Sequence, residues 1–134
     1  LNIGAEEKKG NLLTQATFEM MNGTKDFNFV GNVEGRDLLS ENIDVIVCDG
    51  FTGNVVLKEA EAFYFAFKKR GIEDDYLERF NYENYGGSPI LGINAPVISG
   101  HGSSNEVAVM NMIKLTKDMV EADLARRIKI AVAR

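Results

Sequence analysis

The sequence predicts an α/β fold with a mainly parallel sheet, and three observations carry that expectation. Short apolar runs alternate with longer stretches of helical periodicity, the signature of repeated strand–helix units. The runs are nearly continuous in β-branched, aromatic and aliphatic residues, as strands buried on both faces should be. Each run also closes on a glycine, which turns the chain readily at a strand end.

The elements follow in order. Leu1–Ile3 before Gly4 reads as the tail of a strand. The chain opens on Leu in mid-strand, so we expect a piece of a longer protein with the missing part upstream. Asn11–Asn22 sets Leu12, Leu13, Ala16 and Met20 on one helical face and stops at Gly23. Phe27–Val30 before Gly31 and Val45–Cys48 before Asp49-Gly50 read as buried strands. Asn54–Arg70 is a long helix with a core stripe of Val56, Ala60, Phe63 and Phe67. Ala62, Tyr64 and Phe65 lie off that stripe, so this helix calls for a second cover such as a dimer partner. A shorter helix is expected over Ile72–Phe80, and extended chain over Pro89–Ile93 and Pro96–Ser99 before Gly100. Ser104–Glu121 brings Ala108, Met112, Leu115 and Met119 to one face, and Leu124–Ala133 forms a last helix. With no repeat, low-complexity tract or linker in view, residues 1–134 are expected to form a single α/β domain.

Composition narrows the function. The formal charge of −5 argues against a general nucleic-acid binder, which needs clustered Lys and Arg. No apolar run approaches the ~18–20 residues that span a bilayer. The single cysteine, Cys48, cannot form an internal disulfide and fits a reducing cytoplasm. One Cys and one His are too few for a Cys/His zinc site, so neither metal nor cofactor is expected.

Four segments carry the candidate chemistry. In Cys48-Asp49-Gly50-Phe51-Thr52-Gly53-Asn54-Val55 a strand meets a helix start. Gly50 and Gly53 let amides approach a ligand, and Thr52 or Asn54 could cap a helix whose free N–H groups attract anions. The alternative is an ordinary capped turn. In Ser99-Gly100-His101-Gly102-Ser103-Ser104-Asn105 the only histidine stands between two glycines, with hydroxyls alongside. Such an imidazole can hold phosphate or trade a proton with it, or merely bond a neighbouring carbonyl, with Ser104 a helix cap. In Gly31-Asn32-Val33-Glu34-Gly35-Arg36-Asp37 the Arg36 fork suits phosphate, although Glu34 and Asp37 make a surface ion-pair cluster the plainer reading. Tyr85-Gly86-Gly87-Ser88-Pro89 is a tight loop that could line an acyl channel or simply turn the chain. Cys48, at the end of a buried strand, is read as a packed side chain and not a nucleophile. No covalent nucleophile stands out at a recognised spacing.

In combination, GNVEGRD at 31–37, CDGFTGNV at 48–55, YGGSPILGIN at 85–94 and HGSSN at 101–105 resemble the phosphate acyltransferase family of bacterial phospholipid synthesis. The opening LNIG and the Gly10-Asn11 helix start are similar to that family too, and the resemblance runs from residue 1 to about residue 120. It implies a three-layer α/β/α fold of the isopropylmalate dehydrogenase and phosphotransacetylase type, in a homodimer. It also implies the reaction: an acyl group passes from acyl-(acyl carrier protein) to inorganic phosphate, giving acyl phosphate. On this reading His101, Asn54 and Arg36 carry catalysis. Asp49, Gly50, Thr52, Gly53, Gly86, Gly87, Gly102, Ser103 and Ser104 hold phosphate and acyl groups, with no metal or cofactor. The partners are acyl carrier protein and phosphate, in the cytoplasm, with Lys68-Lys69-Arg70 and Arg79 as a basic docking patch and peripheral membrane contact as a further expectation. Family members are longer, and carry a longer helical excursion where this chain has only Val55–Asn84. Two alternatives are a phosphotransacetylase-like enzyme acting on coenzyme A thioesters, and a non-catalytic dimerisation or membrane-contact fragment. Nicotinamide binding is disfavoured, since no GxGxxG follows a strand.

Overall fold

The computed structural model describes residues 1–133. Five helices, two 3-10 turns and a two-stranded ribbon make up the regular structure of these residues. The chain falls into two compact units, Leu1–Asn54 and Val55–Arg134. The boundary lies inside the first turns of one helix.

In the first unit, helix α1 (Leu12–Asn22) begins where the sequence places it. Asn11 is its N-cap, accepting the Thr14 N–H at 3.0 Å, and Gly23 follows its last turn. Its covered face differs from the predicted one. Leu12, Leu13 and Met20 stay exposed, while Thr14, Thr17, Phe18 and Met21 are half-buried. Phe18 meets Phe29 edge to face with ring centroids 5.3 Å apart, and that contact sets the rotation of the helix. A loop over residues 4–10 wraps on Asn2, whose amide donates to the Lys9 carbonyl and whose oxygen accepts from Ile3. Gly10 adopts φ +83°, and a Cβ there would lie 2.4 Å from Asn2 Oδ1, so this turn requires glycine.

The expected strands over 1–3, 27–30 and 45–48 do not form a sheet among the described residues. Two backbone links tie these extended segments to their neighbours: Asn2 N–H to the Val33 carbonyl, and the Leu1 ammonium to the Val47 carbonyl. A strand exists only through its neighbours' ladder, and two isolated bonds do not make one. Phe27, Val30, Val45 and Val47 are accordingly exposed, and so is Cys48, which corrects its reading as a packed side chain.

In the second unit, helix α2 (Gly50–Lys69, from Val55 onward) buries Tyr64, not the predicted Phe63 and Phe67. Those two stack on each other, 6.5 Å apart, on the exposed side. The helix expected over 72–80 is reduced to a 3-10 turn at Leu77–Phe80, followed by the short helix α3 (Tyr82–Tyr85). Strands β1 (Gly87–Pro89) and β2 (Ile98–Gly100) pair antiparallel, with Gly87 opposite Gly100 and Pro89 opposite Ile98. Among the described residues the chain is helix-rich with one small antiparallel ribbon, compatible with a fragment of an α/β protein, and no parallel sheet is formed among them.

Helix α4 (Glu106–Glu121) packs as expected, with Ala108 and Met119 buried and Met112 and Leu115 half-buried between them. Asp123, at φ 49°, turns the chain into α5 (Leu124–Val132) and pairs with Arg126. Leu124, Ala125 and Ile128 form the half-buried face of α5.

Candidate functional site

Two of the predicted segments sit where elements meet, one in each unit. In the first unit, helix α2 starts at Gly50, so Asp49 is the residue that closes its N-terminus. The Asp49 carboxylate accepts the Thr52 N–H at 2.9 Å and the Thr52 hydroxyl at 2.5 Å. The cap is thus Asp49, and neither Thr52 nor Asn54, because both of these lie inside the helix. The hydroxyl and then the amide of Thr52 hold the Asp49 carboxyl below its ordinary range. One of the free amides expected for an anion is therefore occupied by the protein's own carboxylate. Gly53 lies close to Cys48, whose sulfur would be 3.0 Å from an added Cβ, while Gly50 has open space.

Arg36 lies in a 3-10 turn (Gly35–Asp37) and donates to Glu34 at 3.0 Å. Asp37 reaches back to the Glu34 N–H at 2.8 Å, closing a capping box. This is the ion-pair cluster of the plainer reading. An apolar cavity of about 670 Å³ also lies in this unit, its lining including Phe18, Phe27, Phe29, Val45, Val47 and Asp49. Among the described residues, its walls carry no charged side chains beyond Asp44 and Asp49.

The richer arrangement is in the second unit, around His101. The chain leaves β2 at Gly100 and turns at once, with the His101 carbonyl accepting both the Ser104 N–H at 3.0 Å and the Ser104 hydroxyl at 2.6 Å. Helix α4 is capped by Asn105, whose side chain accepts the Ala108 N–H, so Ser104 shapes the turn without capping the helix. The His101 ring is fixed on three sides. Nδ1 faces Ser103 Oγ at 2.7 Å, and Tyr82 stacks on the ring with centroids 4.7 Å apart. At Nε2 stand Lys58 Nζ, in contact, and Glu61 Oε2 at 3.6 Å. Lys58 and Glu61 are themselves paired at 3.1 Å across one turn of α2. His101, Ser103 and Tyr82 are thus brought together with two charged groups that sequence reasoning missed.

Around this cluster the polar groups lock α3 to α4. Asn105 donates to Glu83 Oε1 at 2.8 Å, and Asn111 donates to the Glu83 carbonyl at 2.8 Å. Gly86, at φ +75°, packs against the α4 backbone: a Cβ would come within 2.5 Å of the Ala108 oxygen and the Met112 nitrogen. Gly87 lies as close to the Ser99 carbonyl across the ribbon. Close backbone packing accounts for both glycines. Gly102 has open space around it.

A second polar network lies between α2 and the 3-10 turn. Buried Tyr64 donates to Glu78 at 2.7 Å and accepts from Lys68 at 2.8 Å. Burial pushes the Tyr64 hydroxyl up, and its bond to Glu78 holds that carboxyl down. Lys68, part of the predicted basic patch, is therefore already engaged by Tyr64 and Glu78 at the surface.

A family model described as fatty acid synthesis protein matches residues 1–127. Phosphate acyltransferase of Bacillus subtilis is 40% identical over 148 residues, a match covering 96% of this chain and 44% of that protein. Phosphate acyltransferase of Desulforamulus reducens is 44% identical over 147 residues, with the same coverage. That of Halothermothrix orenii is 41% identical over 149 residues, covering 96% of this chain and 45% of the relative. The chain thus spans under half the length of these relatives. Each matched stretch is longer than the chain's 134 residues, so the relatives carry extra residues within it. With a family model matched over nearly its whole length, and phosphate acyltransferases matched over the same span, the chain belongs to the fatty acid synthesis protein family, as its four ordered motifs indicate.

Proposed function

We propose that this chain is part of an acyltransferase that moves a fatty acyl group from acyl-(acyl carrier protein) to inorganic phosphate, giving acyl phosphate for phospholipid synthesis. The observation that carries this reading is the fixed imidazole of His101, with the Ser103 hydroxyl at 2.7 Å and charged groups at its other nitrogen. The relatives' shared name, phosphate acyltransferase, supports the same chemistry. Phosphate oxygen attacks the thioester carbonyl, the new carbon–oxygen bond forms, and the carbon–sulfur bond breaks. His101 takes the proton of monohydrogen phosphate and passes it to the departing thiolate, so the step needs no co-reactant. The departing thiol is fairly acidic, with pKa near ~8.5, so strong acid assistance is unnecessary.

The test is acyl phosphate formation, trapped with hydroxylamine, from carrier-protein and coenzyme A thioesters. Product from the carrier thioester alone supports the reading. Product from coenzyme A thioesters alone transfers it to the phosphotransacetylase-like alternative. A chain that dimerises yet neither turns over nor binds phosphate is a dimerisation fragment.

A second reading rests on one arrangement. Ser103, His101 and Glu61 form a hydroxyl–imidazole–carboxylate series that can activate a serine. Ser103 would then take the acyl group, release the thiol, and yield the acyl group to phosphate. Thiol release without phosphate, with acyl label retained on Ser103, supports this route; strict dependence on phosphate supports direct attack.

The homodimer and the peripheral membrane contact belong to the same proposal. Their support is the exposed apolar side of α2, where Phe63, Phe65 and Phe67 remain 56%, 48% and 37% accessible. No helix among the described residues is long and apolar enough to cross a membrane. Phe63→Glu, followed by light scattering and liposome flotation, separates the two: loss of the dimer marks a subunit face, and loss of flotation alone marks a lipid face.

A further inference from the structure

Lys58 stands in an unusual position for a surface lysine. Its ammonium, held by Glu61 Oε2 at 3.1 Å, is in contact with Nε2 of the chain's only histidine. An ammonium has three donors and no acceptor, so Lys58 brings hydrogen-bond donors and a positive charge to the Nε2 edge of the ring. On the other edge of the ring Nδ1 faces Ser103, whose Oγ lies at 2.7 Å and whose backbone N–H donates to it at 3.3 Å. The Lys58 ammonium and the Ser103 hydroxyl thus stand at opposite edges of the imidazole. Tyr82, stacked on the ring face, prevents the imidazole from turning away. The lysine side chain is 46% accessible and the histidine 31%, so an ion from solvent can reach both.

We infer that Lys58 is the cationic ligand of a tetrahedral oxyanion at His101, with Glu61 as its positioning residue. The inference rests on the phosphate-transfer reading and goes further in naming the charge that binds the nucleophile. Monohydrogen phosphate binds at the Nε2 edge, taking a bond from Lys58 and directing its proton at Nε2. When the imidazole gains that proton, Glu61 stands within reach to accept the new Nε2–H. Lys58 neutralises charge on the bound anion, which lowers the cost of bringing a dianion to an electron-rich carbonyl centre. Glu61 keeps the lysine extended toward the imidazole before the anion arrives.

A single histidine makes the experiment direct, because the imidazole gives one set of ring signals in an NMR spectrum. The full chain is titrated with inorganic phosphate at constant ionic strength, and the ring signals are followed. In the unmodified chain, phosphate should move them in a saturable way. Lys58→Met should weaken the apparent affinity about tenfold, the scale of one charge-assisted hydrogen bond, while Lys58→Arg stays within roughly threefold. An unchanged circular dichroism spectrum verifies that the variants fold. Glu61→Gln should keep the response but weaken it. A Lys58→Met titration matching that of the unmodified chain overturns the inference and leaves the phosphate reading of His101 intact. If phosphate leaves the imidazole of the unmodified chain untouched, His101 is no phosphate site, and that earlier reading falls with this one.

Discussion

Tyr64 and Glu78 share a hydrogen bond of 2.7 Å between a buried hydroxyl and a carboxylate, and Lys68 completes it from the other side at 2.8 Å. This pairing makes stability depend on pH at both ends of the scale. The Glu78 carboxyl titrates below its ordinary 4.5, so its contribution is present above that value and lost as acid protonates it. Tyr64 is raised above 10.0 and Lys68 above 10.5. In that range the folded state holds protons that the unfolded state has released, so stability falls as pH rises past about 10. Thermal melts from pH 3 to 11 should show both losses, and Tyr64→Phe should flatten them.

The Asp49 cap predicts a contrast between two variants. Asp49→Ala removes the acceptor for the Thr52 amide and hydroxyl, and should lower the melting temperature. Asp49→Asn keeps an acceptor and should recover most of the loss. Because the carboxylate is held below its ordinary range, the benefit of aspartate over asparagine at this position is present above pH 3.8 and fades below it. Differential scanning calorimetry at pH 7 and pH 3 measures this.

Gly86→Ala should be strongly destabilising. The added Cβ meets α4 backbone atoms at 2.5 Å, and the residue holds φ +75°. Strain and overpacking together should cost at least ~2 kcal/mol in urea unfolding. A neutral substitution would return this glycine to a ligand-facing role.

Asn105→Ala removes both the α4 cap and the bond to Glu83. The expected loss is about 1–2 kcal/mol, read from the same urea titration. Asn105→Asp should restore the cap but repel Glu83, so it should recover only part.

Carrier-protein docking is expected on Lys69 and Arg70 more than on Lys68, which Tyr64 already holds. Lys69→Glu with Arg70→Glu should raise the apparent KM for the carrier thioester and reduce its salt dependence. Lys68→Glu should instead act mainly on stability.

Local signals in the sequence were enough to place helix α1, through Asn11 and Gly23, and the packed face of α4, through Ala108 and Met119, while the rotation of α1 and the α4 cap at Asn105 were set by contacts outside those patterns. The strands expected over 27–30 and 45–48 could not be settled in that way, since a strand depends on partners and the described residues supply only isolated bonds. Tyr64 escaped the apolar stripe of α2 because its burial relies on a polar partner, Glu78, fourteen positions away. Around the site, His101 and Ser103 stood out as a motif. Lys58 and Glu61 did not, for they sit on an ordinary amphipathic helix and reach the imidazole across 43 and 40 positions of chain.

The stacking of Tyr82 on His101 has a further consequence. An aromatic ring 4.7 Å from an imidazole, tilted by 28°, shields the imidazole carbon-bound protons by its ring current and moves their resonances upfield. His101 is the first residue past a ribbon of only three pairs, and Tyr82 lies on the short helix leading into that ribbon. Any opening that parts β1 from β2 carries the two rings apart and returns the shielded signals toward their positions in a free peptide. The imidazole thereby reports the opening equilibrium of the ribbon without a label, and its line positions across a denaturant series give the free energy of that local opening separately from global unfolding.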